Sequence, residues 1–111
     1  MIYASEAPVP TAHGKRYAAQ LGKHWAHNLV VEEDGAIRRI TFPRDARGAD
    51  WPADGLAILD PSEQMLTCRI EAGAAEQLEA LKGAVERHVD RFAFREAPLQ
   101  YDWQDAVPAQ A

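Results

Sequence analysis

Apolar residues recur at helical spacing in two stretches of this chain and alternate through most of the rest. The longer helical stripe is Ala74, Leu78, Leu81, Val85, Val89 and Phe92. It predicts a helix from about Ala74 to Phe92 with one apolar face. Glu76 and Glu79 stand near its start and Arg87, His88 and Arg91 near its end, as the helix dipole favours. A second stripe, Tyr17, Leu21, Trp25 and Leu29 with Ala18 beside it, predicts a helix capped by Thr11 and running to about Asn28. His13, Gln20, His24 and His27 fall on the border of that stripe.

Between the helices the period changes to two. Leu29 to Glu33 and Ala36 to Phe42 flank Asp34-Gly35, a hairpin signal that needs positive φ. Ile40 and Phe42 are expected to face inward, while the consecutive Arg38 and Arg39 interrupt the alternation and leave room for a bulge. Residues 43–55 read as a long loop with Trp51 as its anchor to the core. Leu56 to Leu59 and Met65 to Ile70 form the next pair of strands. Leu66, Cys68 and Ile70 share one face, and Thr67, Arg69 and Glu71 share the other, the mark of an antiparallel sheet wetted on one side.

The ends of the chain complete the pattern. Residues 2–9 carry Pro8 and read as a short edge strand or extended arm. Leu99, Tyr101 and Trp103 alternate with polar residues and read as a last strand. The order β-α-β-β-β-β-α-β is that of an α+β fold, with an antiparallel sheet of five or six strands and two helices on one face. A single domain is expected over residues 1–103, followed by a frayed tail over 104–111.

Composition narrows the function more than the fold. The chain has 111 residues, of which 47% are apolar. That is one domain's worth of core. No apolar run approaches the ~20 residues of a membrane span, and the first residues do not read as a secretory signal. Cys68 is the only cysteine, so neither an internal disulfide nor a four-cysteine zinc site is available, and the expected compartment is the reducing cytoplasm. A net charge of −5, from 17 acids and 12 bases, opposes nucleic acid as a partner.

The candidate chemistry lies at the two helix ends. His24 and His27 are one turn apart, and His88 joins them if the helices pack side by side. Three neutral imidazoles could hold zinc, iron or copper. The same residues could instead be boundary histidines that hydrogen-bond across the helix interface, or acid–base groups. The spacing of the His24 and His88 rings, and whether carbonyls or Glu96 cap their nitrogens, separates these readings. Arg91 and Arg95, with Arg87 nearby, could take a carboxylate or phosphate, or could balance the helix dipole and pair with Glu96 or Asp90. Trp25, Tyr101 and Trp103 read as core or as pocket walls. No catalytic residue stands out: Cys68 falls on a buried strand face and neither serine sits in a nucleophile elbow.

Arg16-Tyr17, Leu21, the run Lys23 to His27, Ile40-Thr41-Phe42-Pro43, and the run His88 to Glu96 followed by Trp103 resemble a bacterial family of unknown function, the one numbered 2218. The resemblance extends from about Ala4 to Trp103. The Arg-Phe-Ala-Phe-Arg-Glu segment is its most specific part, and the loop after Pro43 is longer than the family pattern. The resemblance implies no catalytic residues. Similar domains occur attached to siderophore-interacting flavin reductases, which implies an iron-related setting and a reductase of that kind as a partner.

The expectation is therefore a non-enzymatic accessory domain that binds a metal, an iron chelate or a small anionic ligand near His24, His27, His88, Arg91 and Arg95. The alternative is an interaction module. It would be a homodimer joined through sheet edges or through Trp51 and its loop, with structural histidines. An enzyme is the least supported class.

Overall fold

The computed structural model describes residues 2–107. Its elements are β1 (Tyr3–Pro10), α1 (Gly14–Trp25), β2 (Val30–Asp34), β3 (Ile37–Phe42), a short 3-10 turn (Ala46–Gly48), β4 (Gly55–Pro61), β5 (Met65–Ala72), α2 (Ala75–Phe92) and β6 (Gln104–Asp105). The strands form one antiparallel sheet in the order β2-β3-β4-β5-β1-β6. Both helices lie on the same face of it, as the order of elements predicts.

The alternation places the core. Ser5, Ala7 and Val9 of β1 pair with Ile70, Cys68 and Leu66 of β5, and all six are fully buried. Ile40, Ala57 and Leu59 extend this inner face, on which Leu21 of α1 and Val85 and Val89 of α2 close down. On the outer face Arg69 bonds Glu6 at 2.7 Å and Glu71 at 3.0 Å. Glu6 and Arg69 are directly opposed in the ladder, a cross-strand pair of opposite charge.

Five expectations need correction. Thr11 does not cap α1, which starts at Gly14 behind His13 with no side-chain cap. The Thr11 hydroxyl instead accepts from His13 N and donates to Glu96, the local competition that makes threonine ambiguous near helix starts. β1 is not an edge strand, since β6 pairs outside it; that pairing reaches only Ser5 and Glu6, so Pro8 and Pro10 face an open side where no ladder donor is needed. The arginine pair makes no bulge. The β3 register is continuous, with Arg38 on the same face as Ile40 and Phe42. Its aliphatic stem passes over Gly22 of α1, where an added Cβ would come within 3.0 Å of Arg38 Cδ. The two-residue hairpin turn is Gly35-Ala36, one residue later than Asp34-Gly35, with φ of 60° at Gly35.

The fifth correction concerns the C-terminal segment. Leu99, Tyr101 and Trp103 are packed on the core, but residues 99–103 are not a strand. They form a strap along α2, held by its acidic flank. Tyr101 donates to Asp90 at 2.8 Å, Trp103 Nε1 donates to Glu86 at 2.6 Å, and Leu99 N donates to Asp90 at 3.2 Å. The last strand is the two-residue Gln104–Asp105, directly after Trp103; residues 108–111 of the expected tail lie outside the described residues.

Candidate functional site

α1 and α2 meet where His24 and Trp25, near the end of α1, reach His88 and Phe92 of α2. His24 comes to rest against His88, with ring centroids 5.5 Å apart, and against the edge of Phe92 at 5.7 Å. His88 also lies 4.9 Å from the ring of Trp25, which meets Phe42 edge-on at 5.4 Å. Five aromatic or imidazole rings from α1, α2 and β3 thus form one continuous cluster at the end of the helix pair.

This cluster borders a cleft of 470 Å³ between the end of α1, the side of α2 and the loop after β3. The volume is within the ~300–1,000 Å³ of ordinary ligand pockets. Trp25, Phe42 and Trp51 supply aromatic wall, Leu81 and Ala84 of α2 supply aliphatic wall, and His24, His88 and Arg87 bring nitrogen atoms to its rim. The loop is fixed where it forms that wall. Trp51 N donates to Arg44 O at 3.0 Å and Arg44 N donates to Asp54 at 2.8 Å. Gln77, almost fully buried on α2, donates to Ala53 O and accepts from Gly73 N, both at 2.9 Å. The long 43–55 segment is therefore a built wall, with Trp51 half-buried as its anchor.

The imidazoles differ in state. His88 Nδ1 lies 2.6 Å from the carbonyl oxygen of Ala84. A carbonyl only accepts, so Nδ1 carries the proton, and in the neutral ring Nε2 keeps its lone pair. A carbonyl behind one nitrogen is also the usual support for a metal-binding histidine. Burial holds His24 below the ordinary imidazole pKa, and the charges of His88, Arg91 and His27 push it further the same way. Its neutral form therefore dominates near pH 7. Glu96 caps neither ring. It accepts from Tyr17 Oη and from Thr11 Oγ1, the latter at 3.0 Å, and so ties the turn after α2 to the start of α1.

The remaining candidates scatter. His27 is exposed in the turn after α1, and among the described residues no three His, Cys, Asp or Glu side chains assemble into a metal-holding group. Arg91 and Arg95 are exposed, with Arg95 stacked on the Phe94 ring at 5.8 Å. Among the described residues these arginines form no ion pair with Asp90 or Glu96; both carboxylates accept instead from the tyrosines and from backbone or hydroxyl donors. Tyr101 and Trp103 pack on the opposite flank of α2 from His88 and take no part in the cleft. Cys68 is buried, and its thiol is pushed up to about 12 by burial, which makes it inert. Phe42 and Trp51 are cleft residues that the sequence pattern did not connect to the histidines, whereas Arg87, read beside His88 as a possible anion-binding arginine, does line the cleft.

Among the described residues no helix is long and apolar enough to cross a membrane. No curated protein matches the chain. The NMR structure of PA4090 from Pseudomonas aeruginosa is similar in fold, with a TM-score of 0.73 at 22% identity over 92% of this chain and 95% of that one. The model of a family described as uncharacterised proteins conserved in bacteria matches residues 6–104. The chain belongs to that bacterial family, DUF2218.

Proposed function

We propose that this protein is a non-catalytic binding domain whose cleft takes a small chelated metal, with a ferric chelate as the ligand class. The observation that carries this reading is the His24–His88 pair at the rim of an aromatic cleft of 470 Å³. Two imidazoles are too few to close a metal site by themselves. A metal that arrives with its own donors needs only one or two more, or none if the rings simply donate or accept hydrogen bonds. Trp25, Phe42 and Trp51 suit the planar body of such a chelate, and the Arg87 guanidinium suits its negative charge. Among the described residues Arg87 has no carboxylate partner.

A flavin reductase acting on ferric siderophores is the partner this reading implies, and the buried thiol of Cys68 suits a cytoplasmic setting. The homodimer reading has less support. Antiparallel self-pairing of the free β2 edge would bring Glu32, Glu33 and Asp34 of two copies together, and Trp51 is already engaged in the cleft wall. Titration calorimetry with zinc, iron and ferric siderophores tests the proposal. Saturable binding of a ferric chelate that rises in melting temperature and disappears in the His24→Ala/His88→Ala variant supports it. No uptake of any of these, with an unchanged melting temperature, refutes it.

A further inference from the structure

A second depression opens at the other end of the helix interface, 210 Å³ in volume and lined by Arg16, Tyr17, Gln20, Phe92, Phe94 and Arg95. Its chemistry differs from that of the cleft. Arg16 and Arg95 are exposed, and among the described residues neither has a carboxylate partner. In a chain of 17 acids and 12 bases, two unpaired guanidiniums on one groove run against the overall charge. The one carboxylate close by, Glu96, is occupied by Tyr17 and Thr11. Phe94, with the Arg95 guanidinium over its ring, lines the same groove and is 71% exposed although it is a large apolar residue. Folding does not need Phe94, because Phe92 and Ala93 beside it supply the buried contacts.

Exposed arginine next to exposed aromatic is the composition enriched at protein–protein contacts. The volume is below the ~300–1,000 Å³ of a small-molecule pocket but is ample for one side chain. We infer that this groove docks an acidic segment of a partner protein. One apolar side chain of that segment packs on Phe94 and Phe92, and flanking Asp or Glu carboxylates pair with Arg16 and Arg95. The geometry favours arginine over lysine here, since the planar fork binds a carboxylate through two parallel bonds.

Panning a random peptide library on the intact protein tests this without knowledge of the partner. The expected selection is peptides with acidic residues around a single Leu, Phe or Tyr. Their affinity falls with added salt, falls at least tenfold in Arg16→Gln/Arg95→Gln, and falls comparably in Phe94→Ala. Both variants alter exposed side chains only, so an unchanged melting temperature confirms that they fold. Selection of neutral or basic peptides, no selection at all, or acidic peptides that bind the double-arginine variant equally well overturns the proposal. So does concentration-dependent self-association that Phe94→Ala abolishes, because the occupant is then a second copy of the chain.

Discussion

His24 and His88 face each other across the helix interface with ring centroids 5.5 Å apart, and only His88 has a nitrogen capped by a carbonyl. The pair is thus both a helix contact and a set of open nitrogens. Protonating both rings would place two like charges at that spacing, with Arg91 adding a third.

Acid is therefore expected to loosen the interface. The pKa of His24 in the folded chain lies below its ordinary value of 6.5. Below about pH 6.5 the unfolded chain binds the proton more readily than the folded one, so stability falls as pH drops through that window and is unaffected by this group above it. Urea midpoints at pH 7.5 and 5.5 check the sign. Wild-type protein is expected to lose more of its midpoint than His24→Gln, and an equal loss in both would remove His24 as the cause.

Glu96 is expected to matter for stability, since it joins Tyr17 and Thr11 of the first helical region to the turn after α2. Glu96→Ala leaves both hydroxyls without their acceptor and is expected to cost about 2–3 kcal/mol, with Tyr17→Phe costing about 1 kcal/mol. Denaturant unfolding of the two single variants and the double variant gives the coupling. Strictly additive losses would contradict a shared bond.

Gly55 opens β4 directly beneath α2. A Cβ at this position would overlap Leu81 Cδ1, which also lines the cleft. Gly55→Ala is expected to destabilise by about 1–3 kcal/mol through overpacking. Leu81→Ala makes a cavity alone but should accommodate the new methyl, so the double variant is expected to be more stable than the sum of the single losses. A melting temperature at or below that sum would count against the contact.

The strap makes a separate prediction. Trp103→Phe keeps the ring's packing but loses the bond to the Glu86 carboxylate, for about 1.5–3 kcal/mol. Amide exchange is expected to speed up first in Ser5 and Glu6, the β1 residues that pair with β6. Uniform acceleration over the whole sheet would mean that the strap is not a separable unit.

Much of this fold was legible because burial imposes a period. Leu66, Cys68 and Ile70 could only face one way, and the stripe from Leu78 to Val89 could only be a helix face. The same logic misled at Leu99, Tyr101 and Trp103. Alternation reports which side of a chain is buried; it does not report whether the backbone has a ladder partner, and here the partners are side-chain carboxylates of α2. Arg38 was opaque for another reason, since its inward place depends on the space left by Gly22 on a different element.

The site was half legible. His24 and His88 were recognisable as facing residues because each borders an apolar helical stripe. Phe42 and Trp51 were not, because the cleft depends on how the 43–55 loop folds back, and that is set by bonds such as Gln77 to Ala53 O between distant residues. His27 shows the limit of spacing alone: one turn from His24, it leaves the helix and faces solvent.

The central claim is that His24 and His88 together receive a chelated metal. Side-chain nitrogen NMR of uniformly labelled protein, titrated with gallium(III) siderophores as diamagnetic stand-ins for the ferric complexes, tests it most directly. Saturable shifts of the His24 and His88 ring nitrogens are expected, accompanied by shifts of the Trp25 and Trp51 indoles, with His13 and His27 unmoved. Shifts confined to His13 and His27, or no shift in any imidazole at saturating chelate, would contradict it.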